Sequence, residues 1–228
     1  MHVPDGFINA PVSLAAGVVA AAGLAICLRG ARRELDEKTA PLAGLVAAFV
    51  FAVQMINFPV GVGTSGHLMG GVLAAVLVGP YTGVLCVSVV LIVQALFFAD
   101  GGLSALGVNI ILMALVTTLA GYGTVLVVQR LLPKKRASAV PAAFVGALVS
   151  VPIAALAFVA LYAVGGTADL PLTEVALGMF GVHVVIGIGE ALITALTVGS
   201  ILTVRPDLVH AARRYAQELE LRTASTNS

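Results

Sequence analysis

All twelve basic residues of this 228-residue chain fall in three short places. Arg29, Arg32, Arg33 and Lys38 form the first group, Arg130, Lys134, Lys135 and Arg136 the second, and Arg205, Arg213, Arg214 and Arg222 the third. Apolar runs fill the space between them. A helix crosses a bilayer with about 20 mostly apolar residues at ~1.5 Å rise each. Seven runs read as crossings, near 12–28, 41–57, 67–79, 82–98, 104–131, 139–164 and 175–204. The third is short and rich in Gly and Pro at its ends, so its limits are the least defined. With seven crossings all three basic groups lie on one side, and the segments on the other side hold no Lys or Arg. Basic loops stay in the cytoplasm, so the expected topology has the N-terminus outside and the C-terminus inside.

Composition leads to the same class. The chain is 60% hydrophobic and 10% charged, with a mean hydropathy of +1.08, whereas soluble domains carry roughly 25% charged residues. The expected fold is an all-α integral membrane protein of seven transmembrane helices. Residues 1–204 form the transmembrane domain and 205–228 a cytoplasmic amphipathic tail. In that tail Leu208, Ala212, Tyr215 and Leu219 share a face, and His210 reads as a solvated histidine. A net charge of +1 offers nothing to nucleic acid. Positive charge follows the first apolar run instead of preceding it, so that run reads as a retained helix and not as a signal peptide. Cys27 and Cys86 stand in apolar runs and read as small buried hydrophobes. No GxxxxGK[ST] loop is present, so any ATP-driven step needs another subunit.

Polar side chains inside a bilayer are costly and concentrate at sites or between helices. Gln54, Asn57, His67, Gln94, Asp100, Asn109 and His183 all map toward the outer face, and Glu190 lies deeper. The stretch "NFPVGVGTSGH" carries Gly61, Gly63 and Gly66 and ends in His67. It reads either as a flexible surface loop or as backbone shaped to approach a ligand closely. His67 itself reads either as interhelical glue or as a ligand.

His2 directly follows Met1, ahead of any apolar segment. The α-amine, the amide nitrogen of His2 and its imidazole Nδ1 can bind one cation in consecutive chelate rings, and His67 can supply a fourth nitrogen. Four nitrogens in a plane suit Ni(II) or Cu(II), while Zn(II) prefers a tetrahedron. The alternative is that histidine stands at position two by accident. The reference pKa values of an α-amine, about 7.7–8.0, and of imidazole, about 6.5, lead to an expected loss of affinity below about pH 6.

Four blocks, "MHVPDGF", "NFPVGVGTSGHLMGGVLAAVLVGP", "QALFFADGGLSALGVNI" and "HVVIGIGEALIT", together resemble the CbiM/NikM family. These are the substrate-binding membrane components of energy-coupling-factor ABC transporters for cobalt and nickel. The resemblance runs from residue 1 to about 204. It implies a multi-pass protein of the prokaryotic inner or plasma membrane that is not an enzyme, has no cofactor and carries Ni2+ or Co2+ as substrate. It implies that Met1, His2 and His67 bind the metal. It also implies partners: a transmembrane coupling protein, two ATPase subunits and in some systems a small accessory membrane protein.

Other roles rest on weaker signals. Asp100, Asn109 and His183 are candidate outer partners of the ligands, since metal-bound histidines need an orienting group. Asp5 reads as a cap or an ion pair near the entry. His183 and Glu190 stand seven apart on one helix face, so they pair with each other, brace neighbouring helices or serve ion release. Gly17, Ala21 and Ala25, and likewise Gly44, Ala48 and Ala52, form stripes that admit another helix, of this subunit or of a partner. A seven-helix metal sensor or receptor without transport fits the topology too, though the inner loops are short for a signalling surface.

Overall fold

The computed structural model describes residues 1–213 and 215, apart from 38, 57, 62 and 63, and only the backbone of 58–61 and 64–65. Lys38, Asn57, Gly63, Arg214, Leu219 and Arg222 lie outside the described residues, as does the far end of the expected tail. The chain runs through α1 (Ala10–Ala31) and α2 (Thr39–Gln54) into a short antiparallel hairpin of β1 (Phe58–Gly61) and β2 (Thr64–Gly66). It continues as α3 (Gly71–Val78), α4 (Pro80–Phe97), α5 (Leu106–Leu131), α6 (Ala139–Gly165) and α7 (Leu172–Val204). Five of these helices, α1, α4, α5, α6 and α7, are long and apolar enough to cross a membrane.

Local chemistry sets the boundaries. The Asn9 side chain accepts the Val12 N–H at 3.0 Å and Pro11 occupies the first turn, which together open α1. Gly79, at φ +99°, separates α3 from α4, and Pro80 begins the new helix. The Glu34 carboxylate accepts the Tyr81 and Thr82 N–H groups at 3.2 and 2.7 Å, a favourable place for a negative charge at the start of α4. Within α5, residues Ile110–Val116 form a π-helical stretch directly after Asn109.

The third apolar run differs from its expected span of 67–79. Only Gly71–Val78 is helical, about 12 Å at 1.5 Å per residue. His67–Gly70 is non-helical, and Gly70 adopts φ +78°, a left-handed geometry that ends any continuation of α3 toward His67. All eight residues of α3 are buried, with α2, α4, α5 and α6 packed around it. Non-helical backbone at membrane depth is tolerated where protein surrounds it in this way. Outward-facing side chains are apolar: Leu14, Val18, Ile26 and Leu28 on α1, and Leu177, Val185 and Leu196 on α7, are all exposed. Such a belt suits contact with lipid.

The two stripes of small residues part company. Gly17 packs on α5, where a Cβ on Gly107 would come within 2.5 Å of the Gly17 backbone. Ala21 and Ala25 are exposed, as are Gly44, Ala48 and Ala52 on α2, so packing inside the subunit does not explain them. Beyond α7 the chain folds back. Val209, Ala211, Ala212 and Tyr215 are buried, and Gln129 Nε2 on α5 donates to the Ala211 carbonyl at 3.1 Å. His210 is therefore not the solvated histidine expected. It is half-buried with its ring 6.4 Å from that of Tyr122, and burial holds its pKa below the ordinary imidazole value. Both cysteines are buried and free.

Candidate metal site

The first nine residues are tied to the bundle by two loops. From the α4–α5 loop, the Gly102 N–H donates to the Val3 carbonyl at 2.9 Å, and the Ser104 N–H and hydroxyl donate to Asp5 Oδ1 at 2.7 and 2.6 Å. The Ser104 bonds hold the Asp5 carboxyl below the usual carboxylate range. From the α6–α7 loop, the Thr167 hydroxyl donates to the Gly6 carbonyl at 2.6 Å, and the Asn9 N–H donates to the carbonyl of Gly165, the last residue of α6, at 2.7 Å. Asn109 completes the clamp. Its Oδ1 accepts the Val3 N–H at 2.8 Å and its Nδ2 donates to the Val3 carbonyl at 3.1 Å, as a neighbouring strand would. Met1 and Val3 are wholly buried and His2 is 5% exposed. Burial pulls the pKa of the Met1 amine down to about 4, against the opposing pull of Asp100, so the amine is neutral at physiological pH.

A second clamp shapes the segment that carries His67. Glu190 on α7 accepts the Met69 and Gly70 N–H groups through its two oxygens, at 2.6 and 3.0 Å. Gln54, the last residue of α2, donates its Nε2 to the Met69 carbonyl at 2.8 Å. Gly70 is indispensable, because a Cβ there would stand 2.8 Å from Val50 Cγ2 in a conformation that side chains rarely adopt. His67 thus arrives in the interior wholly buried. Its Nδ1–H donates to the Leu68 carbonyl at 2.8 Å, which leaves Nε2 as a bare lone pair with no hydrogen-bond partner.

The two clamps bring His2 and His67 together, with ring centroids 4.5 Å apart and planes inclined at 31°. The His2 ring has Nε2 3.1 Å from Gln94 Oε1 and Nδ1 3.0 Å from Asp100 Oδ1. The amine, His2 and His183 all lie within electrostatic reach of His67. Among the described residues, no three His, Cys, Asp or Glu side chains are grouped to hold a metal ion. A cation here has two imidazoles from side chains, and any further nitrogen has to come from the backbone and the neutral amine beside them. The amine and the two imidazoles are buried here, with Asp100 Oδ1 3.0 Å from His2 Nδ1, and nitrogen donors suit a borderline divalent transition metal better than Mg2+ or Ca2+.

Of the residues expected from the sequence, Met1, His2, His67, Asp100 and Asn109 meet at one end of the bundle, and His183 is buried on α7 within electrostatic reach of His67. His183 and Glu190 do not pair with each other: His183 Nδ1 bonds the Met179 carbonyl at 2.7 Å, one turn back on α7, and Glu190 bonds the backbone before α3. Gln94 was noted only by depth, although it touches the His2 ring. Ser104 and Thr167 were missed; their only signal is a small hydroxyl in a loop, which is common everywhere.

The model of the family described as "Cobalt uptake substrate-specific transmembrane region", CbiM, matches residues 2–208. The chain belongs to the CbiM family. A protein of Haloquadratum walsbyi that carries a metal-transport name is 39% identical over 92% of this chain and 93% of its own length. The cobalt transport protein CbiM of Sorangium cellulosum is 32% identical over 92% of this chain and 94% of its own. A crystal structure of a transition metal transporter superposes with a TM-score of 0.75 at 30% identity, covering 90% of this chain and 93% of that one. This CbiM-family chain is accordingly a membrane-embedded component of a cobalt-uptake family and not an enzyme.

Proposed function

We propose that this chain is the substrate-binding component of an energy-coupling-factor transporter. It takes Ni2+ or Co2+ from outside the cell through the Met1 amine, the His2 amide nitrogen, His2 Nδ1 and His67 Nε2. The observation that carries the reading is the burial of Met1 and His2 against the His67 ring, 4.5 Å away, by clamps that order an otherwise free end of the chain. Chelation through Nδ1 exchanges the Asp100 contact for the ion: the His2 ring turns about Cβ–Cγ, and Asp100 and Gln94 remain beside it as orienting partners. Asn109 holds the His2 amide in register through Val3. Planar four-nitrogen coordination favours Ni(II), and the family serves cobalt as well.

The topology in this reading has seven crossings, with the N-terminus outside. Non-helical His67–Gly70 and α3 together make the third crossing. The described basic residues at the end of α1, between α5 and α6, and after α7 then face the cytoplasm. Residues 1–204 form the transmembrane metal-binding domain, and the tail after Arg205 lies inside. The exposed faces of Ala21 and Ala25 and of Gly44, Ala48 and Ala52 are open to a transmembrane coupling protein. That protein and two ATPase subunits, with or without a small accessory membrane protein, supply the energy.

Calorimetric titration of the purified protein with Ni2+ tests the site. One residue inserted between Met1 and His2 breaks the chelate-ring spacing and abolishes tight binding; unchanged affinity refutes the amine as ligand. The competing reading, a seven-helix metal sensor without transport, is separated by uptake of labelled metal into cells carrying the whole complex or this subunit alone. Metal that binds but never enters with the full complex favours the sensor.

A further inference from the structure

An ion bound for this site meets ligands that are shut away. Met1 and His67 are wholly buried, and the His2 side chain keeps 4% of its surface exposed. Asp100 stands beside His2 with 19% of its side chain exposed, and its Oδ1 lies 3.0 Å from His2 Nδ1. It thus reaches solvent on one side and a nitrogen of the proposed chelate on the other.

That spacing suits one shared cation. Imidazole nitrogen and carboxylate oxygen bind a divalent transition metal such as Zn2+ at about 2.1 Å. Two donors 3.0 Å apart at that bond length subtend about 90° at the ion. This is the angle between neighbouring positions of an octahedron or a square.

The loop backbone holds the pose. Asp100 sits between Ala99 at φ +52° and Gly101 at φ +86°, and Ala99 is the one non-glycine at positive φ among the described residues. Such strain persists where surrounding structure enforces it and gathers at functional sites. A Cβ on Gly101 would stand 3.0 Å from Asn109 Nδ2 and 3.1 Å from His2 Cδ2, so the loop lies directly against the His2 ring. Charge agrees with geometry. Segments 1–9, 55–70, 98–105 and 166–175 hold Asp5, Asp100, Asp169 and Glu174 and no Lys or Arg, a field that draws cations.

We propose that Asp100 is the entry ligand, which captures the ion jointly with His2 Nδ1 and hands it inward. The inference rests on the metal site and the topology proposed above. Oδ1 and Nδ1 each displace one water from the hydrated ion. The His2 ring then turns about Cβ–Cγ and carries the ion to the Met1 amine, the His2 amide nitrogen and His67 Nε2. The bond from Asp100 Oδ1 breaks as those bonds form. The amide proton, and any proton held between Nδ1 and Asp100, passes to water, and the metal keeps its oxidation state.

The test is stopped-flow binding of Ni2+ to the purified full-length protein, beside equilibrium titration and thermal melts. A ligand used only on the way speeds entry and exit alike. In Asp100→Asn and Asp100→Ser the expected result is association and dissociation each slowed about tenfold, with Kd within about threefold of the parent. Asp100→Glu keeps the carboxylate and should recover most of the rate. Asp169→Asn removes a charge from the same end and should slow association by no more than about twofold. In 1 M salt, where the Debye length is about 3 Å, the Asp100→Asn deficit should persist. Unchanged rates in either folded Asn or Ser variant overturn the proposal. So does a deficit that salt erases, or one that Asp100→Glu or Asp169→Asn shares in full. Weaker affinity in Asp100→Asn with unchanged association also overturns it, by making Asp100 a positioning residue. His67→Ala reports separately on the site: full affinity in that variant refutes the four-nitrogen reading, whatever Asp100 does.

Discussion

Glu190 Oε2 lies 2.6 Å from the backbone nitrogen of Met69, across 121 residues of sequence. With the companion bond to Gly70 it fastens α7 to the irregular segment that presents His67. A buried carboxylate is tolerated because two backbone donors converge on it.

Replacing Glu190 with Gln keeps the shape and removes one acceptor. Hydrogen bonds to a charged group contribute about 1.5–3 kcal/mol each. A loss of about 2 kcal/mol in the ordering of the His67 segment weakens Ni2+ binding roughly 30-fold. Calorimetric titration beside a thermal melt measures this. Parent-like affinity would show that the clamp does not position His67.

Asn109→Ala removes the reciprocal pair with Val3 and leaves the buried Val3 N–H unsatisfied. The expected destabilisation is about 1–3 kcal/mol, accompanied by weaker metal binding. Asn109→Asp retains the acceptor but not the donor, so it should fall between the two. If Asn109→Ala lowers the melting temperature but not the affinity, the N-terminal segment is ordered without it.

At Gly70 the expected response to alanine is strain plus a clash with Val50. The left-handed backbone alone contributes about 1–3 kcal/mol of destabilisation. Adding Val50→Ala removes the clash and recovers part of the loss, never all of it. Full recovery in a denaturation series would mean that the backbone at residue 70 is not held at positive φ.

The Met1 amine governs the pH response. Its pKa falls from 8.0 to about 4 on burial. Between those values the unfolded chain binds a proton that the folded chain does not. Stability of the metal-free protein therefore declines as pH drops from about 8 toward 4 and is indifferent to this group above 8. Melting curves across that range check the sign. The same shift moves the loss of affinity expected near pH 6 downward, as far as the amine is concerned. At pH 7.5 the ion displaces the His2 amide proton but none from the amine. About one proton per ion should be released, read from titrations in buffers of different ionisation enthalpy. About two would mean that a second group beside the ion is charged in the resting protein, either the amine or the His2 ring, whose nitrogens face Asp100 Oδ1 and Gln94 Oε1.

Much of this was readable from residue types. The membrane class follows from the apolar runs and the bilayer thickness, and the two histidines singled out in the sequence, His2 and His67, stand with ring centroids 4.5 Å apart. The clamps were not readable. Glu190 against Met69 and Asn109 against Val3 are side chain to backbone contacts, and a backbone amide carries no mark in the sequence of what it will bond. The brevity of α3 was hidden for a related reason: an apolar run buried on every side looks the same whether eight residues of it are helical or thirteen. His210 and Tyr215 looked like a surface tail because nothing in their own segment announces that Gln129 will donate its side-chain amide to the Ala211 carbonyl and accept the Tyr215 hydroxyl on its own carbonyl.

The beginning of this polypeptide is fastened by its end. Met1 and His2 leave the ribosome long before the loop that carries Thr167 and the helix that carries Glu190, so during synthesis they wait with no place to dock. The pocket proposed for the ion is therefore complete only once α7 has been made, and a chain truncated before Thr167 would leave its first residues without these partners.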